Sequence, residues 1–184
     1  MRCVRAVGML LATALLAGCA STTGHPTPGG PSLETNELRF TAPTGWVLRE
    51  SAGQSLGMGR VVVYLATQPL TADCGEEGSQ PTCQSPIDGE LRPGGVLVVW
   101  TAASCVAALC NLPAGSLISI GNRQGVRIPL EGGCEGTGFT ERSAYYATVT
   151  PQRVDILIIC ARGPSDATRS AFLGFLDAIH WLIP

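Results

Sequence analysis

The most reactive groups in this 184-residue chain are thiols, and there are eight of them. Cys3 and Cys19 lie near the start, while Cys74, Cys83, Cys105, Cys110, Cys134 and Cys160 are spread over the rest. A redox-active pair needs a lowered thiol pKa and the close Cys-x-x-Cys spacing that produces it. No such pair occurs here, and the four-residue gap between Cys105 and Cys110 lacks that geometry. Six cysteines, an even number, read instead as three structural disulfides of the kind found outside the reducing cytoplasm.

The remaining candidates for chemistry are sparse. Of two histidines, His25 lies in a Pro/Gly-rich stretch and His180 near the C-terminus. His180 is placed in the last turn of a helix, where it would meet free carbonyls. A Ser-His-Asp arrangement would have to recruit it, and one histidine makes no cluster for a His-based metal site. The run 132–138 (GGCEGTG) is Gly-rich, but it lacks the Gly-Lys-Ser/Thr ending of a phosphate loop and is flanked by Glu131 and Glu135. Glu76, Glu77, Asp88 and Glu90 offer oxygen ligands for a hard cation without an EF-hand spacing, so they read as a solvated loop. Trp46, Trp100 and Trp181 each fall in or beside an expected core element, so packing is their default role. No catalytic residue, cofactor or metal site is expected from these residues.

The elements that position these groups are mostly strands. Residues 60–68 (RVVVYLATQ) and 95–100 (GVLVVW) are apolar on both faces, as central strands are. Residues 116–120 and 123–130 flank Gly121-Asn122, a two-residue hairpin signal. Residues 143–150 and 153–160 flank Pro151-Gln152 and form a second expected hairpin. Residues 37–40 and 46–49 are weaker strands around Pro43-Thr44-Gly45. One helix is expected at the C-terminus, capped by Ser165, with Asp166 at the positive end of its dipole. Phe172, Phe175, Leu176, Ile179 and Ile183 would form its apolar face, laid on the sheet. The predicted class is α+β: an antiparallel sheet with a C-terminal helix on one face, stapled by disulfides.

Topology then suggests the pairing. If 60–68 and 95–100 run antiparallel, the polar insertions at 71–93 and 102–115 lie at opposite ends of the sheet. A six-residue strand is roughly 20 Å long, whereas disulfide Cα atoms lie within about 7 Å of each other. Cys74–Cys83 and Cys105–Cys110 therefore pair locally, leaving Cys134–Cys160 to join a turn to the strand beside it.

The N-terminus carries Arg2 and Arg5, then an apolar stretch from 6 to 17, too short for the roughly 20 residues of a membrane span. It ends in Leu16-Ala17-Gly18-Cys19, which resembles a bacterial lipobox. That resemblance implies cleavage of a signal peptide, residues 1–18, and diacylglyceryl transfer to Cys19, a two-chain anchor strong enough for stable membrane attachment. Residues 19–33 would hold the lipidated cysteine and a Ser/Thr/Pro/Gly tether, and 34–184 a single domain. Losing Arg2 and Arg5 takes the formal charge from −2 to −4, with no lysine anywhere and the arginines scattered along the chain. This disfavours nucleic acid as a partner.

Phe40-Thr41-Ala42-Pro43-Thr44-Gly45-Trp46 resembles the Phe-x-x-Pro-x-Gly-Trp opening of PsbP-like domains. The order of strands and a final helix agrees with it, over roughly residues 37–182. The resemblance, together with the lipobox, is to actinobacterial envelope lipoproteins with a PsbP-like domain. It implies an α/β/α sandwich and a binding or assembly role rather than catalysis, and it carries over no ligand residue. The expected function is a membrane-anchored, extracytoplasmic binding or adaptor module facing an envelope protein or ligand, with 71–93 and 102–115 as contact loops. The alternatives are a small-molecule or lipid carrier with an apolar cavity, and an envelope-acting hydrolase.

Overall fold

The computed structural model describes residues 29–51, 55, 56, 59–71, 86–105, 110, 112–131, 134 and 136–183. His25, Cys19, Cys74 and Cys83 lie outside them, and with them the expected lipid anchor and the expected Cys74–Cys83 bridge.

The chain forms an antiparallel β structure with one C-terminal helix, an α+β fold. Its strands are β1 (Ser32–Glu34), β2 (Leu38–Thr41), β3 (Val47–Glu50), β4 (Ser55–Leu56), β5 (Gly59–Ala66), β6 (Val96–Ser104), β7 (Ser116–Ile120), β8 (Arg123–Pro129), β9 (Glu141–Thr150), β10 (Arg153–Ala161) and β11 (His180–Trp181). The helix α1 spans Asp166–Asp177. The larger sheet has the order β3-β5-β6-β10-β9-β8-β7, with β4 paired to β5, and the smaller one has the order β1-β2-β11. Every strand pair is antiparallel.

The centre of the large sheet is β6 against β10, in register from Ala161 opposite Val96 to Arg153 opposite Ser104. Both strands are apolar on successive residues because both faces of this sheet are covered. On one face, Val63, Leu65, Val98, Trp100 and Leu157 meet the helix and the small sheet. Phe40 of β2 is central to this layer: its ring stacks on Trp100 at 5.4 Å and meets Phe175 edge-on at 5.3 Å. Trp46 stacks on Phe172 at 6.4 Å, so the two aromatic residues of the opening motif both point into the core.

The opposite face carries Val61, Tyr64, Leu97, Val99, Ile156 and Ile158. Among the described residues it is covered by loops, not by a second helix. Ile87 and Leu91, from the second half of the 71–93 insertion, are buried there. Leu91 N–H donates to the Thr137 carbonyl at 2.8 Å, tying that insertion to the Gly-rich run. Ile87 and Leu91 thus cover the core, while Asp88, Gly89, Glu90, Arg92 and Pro93 of the same insertion are exposed. Likewise residues 102–104 belong to β6, so the strand runs four residues past the expected end at Trp100.

Two disulfides are present among the described residues. Cys105 joins Cys110, with Cα atoms 5.3 Å apart. Cys134 joins Cys160, with Cα atoms 6.3 Å apart, and so pins the Gly-rich run to the end of β10.

The C-terminus departs from expectation. Ser165 caps α1 as expected, its Oγ accepting from Thr168 N–H at 3.1 Å. The helix stops at Asp177, and Ala178 N–H closes its last turn on the Gly174 carbonyl at 3.1 Å. His180 is thus not in a helical turn. His180 and Trp181 form β11, opposite Arg39 and Leu38 of β2. Ile183 likewise lies beyond the helix face assigned to it. The gain comes from Trp181, whose buried indole N–H donates to the Ile120 carbonyl at 3.0 Å, a bond a helical continuation would forgo. Ile120 ends β7 just before the hairpin turn Gly121-Asn122, whose glycine has φ +58°, as at the first position of a type II′ turn. At the other terminus β1 begins at Ser32 and Leu33 is buried, so the last residues of the stretch read as tether belong to the fold.

Candidate functional site

A cleft of about 150 Å³ opens between the first turns of α1 and the β8-β9-β10 side of the large sheet. Alternation along β9 directs Glu141, Ser143 and Tyr145 to the helix face. Arg127 of β8 sits opposite Tyr145 on the same face. From the helix, Thr168, Arg169, Phe172 and Leu173 complete one wall, with Val96 and Ile159 of the neighbouring strands on the sheet side.

Its polar groups are partly committed to one another. Arg169 forms a two-pronged ion pair with Glu141. That hydrogen bond holds the Glu141 carboxyl below the ordinary glutamate value, with Arg127 adding a smaller pull. Arg127 donates from Nε and Nη2 to Ser143 Oγ, at 3.4 and 3.2 Å. Its guanidinium carbon lies 6.0 Å from the centre of the Tyr145 ring. Among the described residues Arg127 has no carboxylate partner. Burial pushes the Tyr145 hydroxyl up, against the weaker opposing pull of Arg127 and Arg169, so it remains a donor at neutral pH. The cleft is therefore lined by three cations, Arg127, Arg142 and Arg169, and one anion, over a floor formed by Phe172, Ile159 and Val96. It offers donors and a place to exclude water. Its one carboxylate is a poor base because Arg169 holds it ionised.

Three of the arginines, Arg127, Arg142 and Arg169, are thus gathered in space. Arg127 and Arg169 lie far apart in sequence, and only the packing of α1 across β8 and β9 brings them to one cleft. No periodicity in the sequence signals it.

A second polar cluster is sealed. Asp155 is fully buried on β10. Its Oδ2 accepts from the Trp100 indole at 2.7 Å and its Oδ1 from Arg153 Nε at 2.6 Å. Arg153 also pairs with Glu37, which precedes β2. Loss of water holds the Asp155 carboxyl above the ordinary aspartate value, outweighing the opposing pull of Arg153 and the indole. This network fastens the small sheet to the large one, with the Trp100 indole and all three Arg153 side-chain nitrogens each donating to a carboxylate.

The other residues singled out in the sequence are placed as follows. His180 is exposed on β11. Glu90 pairs with Arg162 at 2.6 Å, Asp88 is exposed, and Glu76 and Glu77 lie outside the described residues. Among the described residues no three acids, histidines or cysteines gather as a metal site would require. Trp46, Trp100 and Trp181 are core residues. A Gly-x-Ser-x-Gly spelling, not expected in this chain, does occur at Gly53-Gln54-Ser55-Leu56-Gly57, the form of a nucleophile elbow. That elbow requires a strand-to-helix turn. Ser55 instead lies in β4, paired with Arg60 of β5.

No protein-family model matches this sequence, and no curated protein matches it. Among the described residues no helix is long and apolar enough to cross a membrane.

Proposed function

We propose that this protein is a lipid-anchored, extracytoplasmic lipoprotein of the bacterial envelope, with a PsbP-like domain acting as a non-catalytic binding or adaptor module. Residues 1–18 serve as the signal peptide and Cys19 as the lipid attachment site. The cleft beside α1 is the recognition site. The observation that carries the binding reading is the composition of that cleft: donors, an unpaired Arg127 and an apolar floor, beside a carboxylate held ionised by Arg169. Such a set recognises a group and lacks a base to act on it. The disulfides at Cys105–Cys110 and Cys134–Cys160 support export, because such bonds persist in oxidising compartments. The cleft volume also argues against a carrier of long acyl chains, since about 150 Å³ holds a molecule no larger than about benzene.

The anchor is tested by labelling cells with a palmitate analogue and fractionating them. The wild type takes up label and sediments with membranes, and Cys19→Ala does neither. A Cys19→Ala protein that still carries label would overturn the assignment. The binding role is tested with a photo-crosslinker replacing exposed Leu173 at the cleft wall. It captures an envelope component that is lost on adding Arg127→Ala, and capture unaffected by that change would count against the cleft.

A further inference from the structure

We infer that the cleft beside α1 takes a small apolar monocarboxylate, either a free acid or the C-terminal residue of a peptide. This rests on the reading of that cleft as a binding site, and it names the ligand. Four observations carry it.

The first is the unused donor capacity of Arg127. A guanidinium has five N–H groups. Nε and one Nη2 hydrogen serve Ser143 Oγ. The Nη1 pair and the second Nη2 hydrogen are left, and they form the end-on fork that grips the two oxygens of a carboxylate. The second is charge. Arg127, Arg142 and Arg169 line the cleft with Glu141 as its one carboxylate, an excess of positive charge that a carboxylate anion offsets. Inorganic phosphate could meet those cations but has no apolar stem to cover Phe172, Ile159 and Val96.

The third is the division of the cleft into a polar mouth and an apolar floor. Arg127 is exposed, whereas Phe172 is buried. A carboxylate would stay at the rim while its stem reaches Phe172, Ile159 and Val96. The fourth is size. A cavity of about 150 Å³ holds a molecule like benzene, so a branched stem of about four carbons fits and a long acyl chain does not. The Tyr145 hydroxyl, with no hydrogen-bond partner among the described residues, is a further donor in the same cleft.

The test is titration of the full-length protein in mild detergent, followed by calorimetry and by NMR of labelled tyrosine. The probes are isovalerate, N-acetyl-leucine, N-acetyl-leucine amide and inorganic phosphate. Isovalerate and N-acetyl-leucine are expected to bind and to shift Tyr145. The amide and phosphate are expected to bind at least about tenfold more weakly, the one losing a charge-assisted pair and the other the apolar stem. Arg127→Gln is expected to weaken the acids by a similar factor while leaving thermal stability unchanged. Binding by N-acetyl-leucine but not isovalerate identifies a peptide terminus; equal binding identifies a free acid. Phosphate or the amide binding as well as the acids overturns the inference, as does the absence of binding by both acids. If both acids fail while the Leu173 crosslinker still captures an Arg127-dependent component, the cleft remains a binding site and only its carboxylate specificity is lost. If capture fails as well, both readings fall.

Discussion

Replacing one glycine with alanine should separate the strain of a turn from the cost of breaking a seam. Gly121 and Gly163 have nearly the same backbone angle, φ +58° and +56°. At Gly163 an added Cβ meets nothing within 4 Å, whereas at Gly121 it would lie 1.7 Å from the Ile179 carbonyl oxygen. Gly163→Ala should therefore cost only the left-handed backbone penalty of about 1–2 kcal/mol, reduced by the smaller entropy of the unfolded chain. The expected net loss is about 1 kcal/mol. At Gly121 the same penalty applies, and the hairpin must also move away from the end of α1. That movement breaks the bond from Gly121 N–H to the Leu176 carbonyl, 2.8 Å long, and the Trp181 indole bond to Ile120. Each is worth about 1 kcal/mol, and β11 loses its packing with them. The expected loss is about 3–4 kcal/mol. Thermal unfolding followed by far-ultraviolet circular dichroism, with disulfides intact, should show a fall of roughly 3 °C for Gly163→Ala and roughly 10 °C for Gly121→Ala. If the two variants differ by less than about 1 kcal/mol, the C-terminal seam is not what holds the hairpin.

Three further outcomes follow from features already described. Trp100→Phe keeps the ring in the Phe40 stack but leaves Asp155 Oδ2 without its indole donor, so stability should fall by about 2 kcal/mol in urea unfolding; an unchanged midpoint would contradict the clamp. Removing Cys134–Cys160, which spans 26 residues, should cost about 3.5 kcal/mol, against about 2 kcal/mol for Cys105–Cys110, which spans 5. The reverse ranking in denaturation of the two double-alanine variants would show that native contacts, not chain closure, decide. Finally, the Glu141 carboxyl is held below its ordinary value of 4.5 by Arg169. Its contribution is therefore complete above that value and is lost as pH falls through the lowered one. Glu141→Gln should be destabilised at neutral pH by less than about 1 kcal/mol, because the pair is exposed. The gap should close toward acid in melting scans, and a gap that widens would reverse the sign of the argument.

The sheet was far more legible in the sequence than the cleft. Apolar runs at β5 and β6, the Gly121-Asn122 and Pro151-Gln152 turns, and Ser165 as a helix cap are all local signals, written within a few residues of where they act. The two-residue strand β11 had no such signal. Ile179 and Ile183 continue the spacing of Phe172, Phe175 and Leu176, so a helical period hides the point where the chain leaves the helix. β1 was hidden for a different reason: a Pro/Gly-rich approach masks a strand of only three residues. The cleft is the clearest case. Arg127, Glu141 and Arg169 belong to two strands and a helix, and their convergence depends on sheet order, which no window of sequence contains.

The small sheet has a mechanical consequence. β1 is the first strand among the described residues and only three residues long, opposite Arg39, Phe40 and Thr41 of β2. A pull on the chain ahead of Ser32 loads that ladder at its first rung. The bonds then open one after another rather than together, and the nine-residue ladder of β6 and β10 stays unstrained. β1 is thus placed as a mechanical fuse: under tension it would peel away and lengthen the chain ahead of β2 by about 10 Å, while the cleft beside α1 kept its shape.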